Sequence, residues 1–226
     1  PVEPKSQVTF SSDFFRIMED QKKEDEQSQE VIPVEEPLPD EFYIKHPLQN
    51  KWTLWYYEND RSKGWEENQR EVFSFDTIED FWSLYNHIKT ASEIRQGCDY
   101  SLFKSGIRPM WEDAANKLGG RWLINLDKKQ RSSDLDKYWL EIILCMIGEA
   151  FDSHSDDVCG AVINIRNKGD KIGLWTADAH RTQSVMEIGR KLKERLHIPK
   201  SVMLGYQAHK DTAAKSGSVT KNSFQV

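Results

Sequence analysis

Between Cys159 and Thr176 a strand-like run, a turn and a second strand-like run follow one another without a gap. They read Cys159-Gly160-Ala161-Val162-Ile163-Asn164-Ile165-Arg166, Asn167-Lys168-Gly169-Asp170, and Lys171-Ile172-Gly173-Leu174-Trp175-Thr176. Apolar, β-branched runs bounded by Asn, Gly and Asp make a hairpin, and a hairpin commits its sheet to antiparallel pairing of chain neighbours. A four-residue loop sets Arg166 opposite Lys171 and Val162 opposite Trp175, so period two brings Arg166, Lys171 and Trp175 to one face. Like charges placed opposite each other destabilise a hairpin unless something negative lies between them. A phosphate chain would serve; the alternative is that both side chains splay into solvent at the turn. Arg121, opening the run Arg121-Trp122-Leu123-Ile124-Asn125-Leu126, is a third candidate cation.

Further strand-like runs begin near Trp52, Arg70, Gly120, Ser201 and Thr220, with a weaker one near Asp99. Three helical patterns interrupt them. The first follows a Thr77-x-x-Asp80 cap signal and puts Ile78, Phe81, Tyr85 and Ile88 on one stripe. The third, Thr182 to His197, does the same with Val185, Ile188, Leu192 and Leu196, and Pro199 stops it. Strands that pair as neighbours, with helices on one face, make an antiparallel α+β domain.

The second helix, Leu135 to Ile147, is apolar almost throughout. Leu135, Trp139, Ile142 and Met146 can face the sheet, which leaves Leu140 and Leu144 on a separate ridge beside Glu141. Trp82 likewise lies off the main stripe of the first helix. Either neighbours bury these ridges, or Ile78, Trp82, Leu140 and Leu144 form an exposed patch suited to an amphipathic partner helix.

Two tryptophans sit where a core has little use for them: Trp65 in the polar run Arg61-Ser62-Lys63-Gly64-Trp65-Glu66-Glu67-Asn68, and Trp111 in Arg108-Pro109-Met110-Trp111-Glu112-Asp113. Both positions read as loops. A single loop tryptophan more often covers a core edge, but two can close on one planar ligand from opposite sides. Glu112 follows directly, and a carboxylate accepts from a partner with two parallel N–H donors, such as the Watson–Crick edge of guanine. Methylation at N7 would give that ring a positive charge, adding cation–π attraction and strengthening the Glu112 bonds.

The charge distribution narrows the ligand further. The chain has 31 basic and 37 acidic residues, but residues 1–45 hold 12 acids against 5 bases, which leaves the remaining 180 or so residues near neutral. Binding along a nucleic-acid backbone requires a large basic excess, which this chain lacks. The acidic segment 1–45, poor in aliphatics, is expected to be disordered, with a short helical or chance cluster at Phe14, Ile17 and Met18. Residues 46–226 fall within the size of one domain.

Cys98, Cys145 and Cys159 lack C-x-x-C spacing and read as reduced thiols of a cytoplasmic or nuclear protein. No metal site or cofactor is implied. No apolar run approaches a membrane span and no signal-peptide pattern opens the chain. Nucleotide-binding G-x-x-x-x-G-K-[ST] and G-x-G-x-x-G motifs, G-x-S-x-G and H-E-x-x-H are absent, and His154 beside Asp156 and Asp157 reads as a solvated loop. An enzyme is therefore not expected.

Several stretches together resemble the eukaryotic translation initiation factor 4E family. They are His46-Pro47-Leu48-Gln49-Asn50-Lys51-Trp52, Phe75-Asp76-Thr77-Ile78-Glu79-Asp80-Phe81-Trp82, Ser101-Leu102-Phe103-Lys104, Pro109-Met110-Trp111-Glu112-Asp113, Gly119-Gly120-Arg121-Trp122, Cys159-Gly160-Ala161-Val162 and Lys215-Ser216-Gly217-Ser218. The likeness runs from about His46 to Val226. It implies a curved, eight-stranded, mainly antiparallel sheet with three long helices on its convex face. It also implies a site for the 7-methylguanosine cap of mRNA, with Trp65 and Trp111 stacking and Glu112 reading the guanine. Arg166 and Lys171 would hold phosphates, Arg121 would contribute through water, and Trp175 would lie against the N7-methyl group.

On the dorsal face the resemblance implies that His46, Pro47, Ile78, Trp82, Leu140, Glu141 and Leu144 receive the scaffold factor 4G and the inhibitory 4E-binding proteins, in a monomer that joins the initiation factor 4F complex. It places a phosphorylation site at Ser218. A cap-binding paralogue that represses translation is the alternative.

Overall fold

The computed structural model describes residues 44–213 and 222–226. The acidic tail with Phe14, Ile17 and Met18, and the segment that carries Ser218, lie outside the described residues. Lys45, assigned to the tail by sequence, forms an ion pair with Asp80 at 2.6 Å.

The strands are β1 (Pro47–Tyr57), β2 (Gln69–Thr77), β3 (Asp99–Lys104), β4 (Gly120–Leu126), β5 (Val158–Asn164), β6 (Asp170–Thr176), β7 (Gly205–Ala208) and β8 (Phe224–Gln225). The helices are α1 (Trp65–Asn68, a single turn), α2 (Ile78–His87), α3 (Asp136–Ile147), α4 (Thr182–Arg195) and the short α5 (His209–Ala213). The strands form one sheet in the order β2-β1-β3-β5-β6-β4-β7-β8, with every neighbouring pair antiparallel. This is the expected curved α+β architecture, and α2, α3 and α4 contribute to one core against the sheet.

Period two divides the sheet into two functional surfaces. Trp52, Leu54, Tyr100, Leu102, Trp122, Ile163, Ile172 and Leu174 all join the core shared with the helices. Their chain neighbours Tyr57, Asp99, Ser101, Arg121, Val162, Asn164 and Trp175 line a cleft on the opposite face. The indole N–H of Trp122 donates to the Val185 carbonyl at 2.9 Å, so the largest buried ring of β4 is also bonded to α4.

The helices follow their sequence signals with local differences. Thr77 caps α2: its hydroxyl accepts from the Asp80 N–H at 3.2 Å and donates to the Asp80 carboxylate at 2.8 Å. The buried residues of α2 are Phe81 and Leu84; Tyr85 and Ile88 of the expected stripe are half-buried, and Ile78, which sequence placed both on that stripe and in the candidate exposed patch, is exposed. Val185, Ile188, Leu192 and Leu196 are buried as expected. On α3, Leu135, Trp139, Ile142 and Met146 are buried, while Leu140 and Leu144 remain half-buried at the core's edge. All three cysteines are buried free thiols.

The register of the β5–β6 hairpin differs from the expected one. Asn164, not Arg166, lies opposite Lys171, and Val162 lies opposite Gly173. Ile165 leaves the ladder because it is fully buried and exchanges backbone bonds with the 97–98 segment, at 2.8 Å to Gly97 and 3.2 Å to Cys98. Asp170 closes the longer loop by accepting from the Arg166 N–H at 2.9 Å, and is itself held by Arg131 at 2.6 Å and 2.7 Å. Gly169 has φ +145°, a conformation that favours glycine. A two-residue shift preserves parity, so the face assigned to Lys171 and Trp175 survives, but the opposition of like charges does not. Lys171 is flanked by Asn164 and Asn125.

Candidate functional site

An open cleft of about 530 Å³ lies on the face of the sheet away from the helices. Trp65 and Trp111 line it and are 46% and 39% exposed, so two large rings face one open space. Trp65 is not on a loop, as expected, but opens α1. There the Gly64 N–H donates to Glu67 Oε2 at 2.8 Å, and Tyr57 stands beside the indole with ring centroids 6.3 Å apart.

Trp111 is carried by a loop organised from within. Asn116 is fully buried, and its side-chain amide donates to the carbonyls of Arg108 at 2.9 Å and Met110 at 2.8 Å. Asp113 accepts from the N–H groups of Arg108 at 3.0 Å and Ala115 at 2.9 Å. The loop thus holds its shape without belonging to a regular element. An ion pair between Arg108 and Glu66, 3.8 Å apart, links the two tryptophan-bearing segments.

Glu112 lines the same cleft, and one of its oxygens accepts from the indole N–H of Trp111. A ligand that offers two parallel donors would have to displace that bond to use both oxygens.

Arg121 and Trp175 complete the floor. They are direct partners across the β4–β6 ladder, and Trp175 packs edge-on against Phe103 at 5.4 Å. Gly173 leaves a lane for the arginine stem, since a Cβ there would stand 3.3 Å from Arg121 Cδ. Burial lowers the pKa of Arg121, and its Nε and the Trp175 Nε1 are buried donors with no partner among the described residues. Buried donors without acceptors are destabilising unless something outside the chain satisfies them. His209 packs on Trp175 with centroids 4.1 Å apart; burial and then the charge of Arg121 push its pKa down to about 4.

Arg166 and Lys171 are not among the residues that line the cleft. Arg166 stands at its rim, paired through both terminal nitrogens with Asp99, which does line it. Lys171 is exposed. Sequence reasoning missed Asp99, Asn116 and His209. Each acts through a partner distant in the chain, and no spacing betrays it.

On the helical side, His46 donates its backbone N–H to Glu79 at 2.8 Å and pairs its ring with the same carboxylate at 2.6 Å. Pro47, Ile78 and Trp82 are exposed there, with Trp82 leaning on Phe81 at 4.9 Å. Glu141 accepts from Arg195 at 2.9 Å and 2.8 Å, between the half-buried Leu140 and Leu144. Among the described residues no cluster of three or more His, Cys, Asp or Glu could hold a metal ion, and no helix is long and apolar enough to cross a membrane.

Residues 47–224 match the family described as Eukaryotic initiation factor 4E. The chain belongs to that family. The Homo sapiens eukaryotic translation initiation factor 4E is 62% identical over 186 residues, covering 82% of this chain and 86% of the human protein. Factor 4E-1A of Danio rerio is 58% identical over 206 residues, covering 91% and 93%. Among solved structures, Ascaris suum eIF4E-3 in complex with an m2,2,7G cap is 49% identical with TM-score 0.76, over 81% of this chain and 99% of that one. Schistosome eIF4E complexed with m7GpppG and 4E-BP is 34% identical with TM-score 0.75, over 80% and 99%. In the initiation factor 4E family, therefore, this fold has been seen with cap and with a 4E-binding protein.

Proposed function

We infer that this chain binds the 7-methylguanosine 5′ cap of mRNA and recruits a scaffold initiation factor to begin cap-dependent translation. The observation that carries this reading is the pair of half-exposed indoles, Trp65 and Trp111, on one cleft whose floor presents unpartnered donors of Arg121 and Trp175. The base enters between the indoles, and Glu112 accepts from its Watson–Crick edge once it releases the Trp111 indole N–H. Phosphates run toward Arg166 and Lys171, with Arg121 behind them and Trp175 against the methyl group. Cations adjoin the phosphate path, which suits a site that holds the cap. The exposed Ile78 and Trp82 with His46, Pro47, Leu140, Glu141 and Leu144 receive an amphipathic helix of the scaffold factor 4G or of a 4E-binding protein, in the cytoplasm.

Titration of tryptophan fluorescence with methylated and unmethylated guanine nucleotides tests the cap reading. Stacking contributes about 1–3 kcal/mol per base, so Trp65→Ala, Trp111→Ala and Glu112→Ala should each weaken binding of the methylated nucleotide at least about tenfold in a folded protein. Unchanged affinity removes that residue from the site. Trp82→Ala should abolish capture of a scaffold peptide and spare the cap. Release of methylated nucleotide from capped RNA in Mg²⁺ would overturn the non-enzymatic reading.

A further inference from the structure

We propose that Asp99 sets how strongly this cleft responds to phosphate, by fixing which edge of Arg166 a ligand can use and by offsetting the charge of that arginine. The proposal rests on the cap reading and adds to it a residue on the phosphate path.

A guanidinium has five N–H groups in a fixed fork. In Arg166, Nη1 faces Asp99 Oδ1 and the carbonyls of Ile165 at 3.0 Å and Cys98 at 3.4 Å, while Nη2 donates to Asp99 Oδ2 at 2.9 Å. The end-on edge is therefore occupied by Asp99. What remains is the side edge, formed by Nε–H and the second hydrogen of Nη2, which matches two oxygens of one phosphate.

Asp99 is a lining residue of the cleft, and its side chain is only 13% exposed. Its charge therefore stands beside the phosphate path with little water to screen it. Burial raises the Asp99 pKa, and the hydrogen bonds and charge of Arg166 oppose that shift; the paired contact of both carboxylate oxygens with the guanidinium is the geometry of an ion pair. Arg166 and Asp99 together carry no net charge. Arg166 then orients a phosphate by hydrogen bonds, while long-range attraction is left to Lys171, which has no ion pair among the described residues, and to Arg121. The consequence is a limit on the affinity gained with each added phosphate. A cleft with a bare Arg166 would climb more steeply.

The test compares wild type and Asp99→Asn, titrated with 7-methylguanosine mono- and triphosphate by tryptophan fluorescence. Asn keeps the size of the side chain and removes its charge, and Ile165 O still anchors Nη1. The triphosphate-to-monophosphate affinity ratio should rise at least about threefold in Asp99→Asn, with a steeper salt dependence. An unchanged or lower ratio overturns the proposal, because a merely structural role would weaken both ligands alike. Should Asp99→Asn not fold, nitrogen-edited NMR of the wild-type protein decides. Triphosphate should shift the Arg166 Nε–H resonance and leave the Asp99 carboxyl carbon at its ionised position, and a static Nε–H overturns the idea. Failure of the wild-type protein to bind the monophosphate would instead overturn the cap reading, so the two outcomes are separable.

Discussion

The two faces of the sheet are made by alternate residues of the same strands, yet they differ in how far their aromatic rings meet solvent. Toward the helices, Trp122 is fully buried, and its one polar atom is bonded to Val185. Toward the cleft, Trp65 and Trp111 stand half in solvent, and Trp175 and Arg121 keep buried donors with no partner among the described residues; the Trp52 indole N–H on the core face lacks one too, so it is solvent exposure that separates the faces. Proteins rarely leave such groups unsatisfied. The contrast teaches that stability is concentrated on one face and readiness for a ligand on the other, and that identical residue types serve both.

The sharpest break of that comparison is a pair of identical substitutions. Trp122→Ala should destabilise the fold by about 3–5 kcal/mol, measured by chemical denaturation. Trp111→Ala should move stability by less than about 0.5 kcal/mol while abolishing most cap affinity. Equal destabilisation by both would mean that the cleft indoles are structural.

The next largest effect is a pH response seated under the cleft. His209 has a folded pKa of about 4, below the ordinary 6.5. As pH falls, the unfolded chain takes up the proton first, so stability is full above about 6.5 and declines as pH drops toward about 4. The loss is up to about 3 kcal/mol. Denaturant melts at neutral pH and at about pH 4.5 should show it, and His209→Gln should remove most of the difference. An equal acid sensitivity in that variant would assign the response to other groups.

Asn116 sharpens the comparison within the cleft itself. Loss of its two amide bonds in Asn116→Ala should cost about 1–3 kcal/mol and also weaken methylated-nucleotide binding, since it holds the loop that carries Trp111. Lost stability with intact affinity would show that the loop keeps its shape by other means.

The smallest expected effect lies at the C-terminal end of α4. His197 ends α4 with φ +52°, a conformation glycine adopts without strain. His197→Gly should raise stability by about 0.5–1 kcal/mol and leave nucleotide binding unchanged, as a thermal melt and a fluorescence titration would record.

What the amino-acid sequence determined by itself is whatever depends on local pattern. Alternation in β3 to β6 separated core from cleft, Thr77 and Asp80 announced α2, and the polar surroundings of Trp65 and Trp111 marked them as candidates for a ligand rather than a core. The over-apolar α3 likewise signalled that Leu140 and Leu144 sit apart from the buried stripe. Parity is why the face of Lys171 and Trp175 was legible even though the hairpin register was off by two.

Only the tertiary structure decided the register, because Ile165 was drawn into the core against Gly97 and Cys98, far away in the chain. It also decided that Arg166 answers to Asp99, that Asn116 shapes the Trp111 loop, and that His209 is held neutral between Trp175 and Arg121. Each of these depends on a group brought close by the sheet's strand order. The strength of a charge or hydrogen bond is set by distance and by excluded water, and neither exists until the chain has folded.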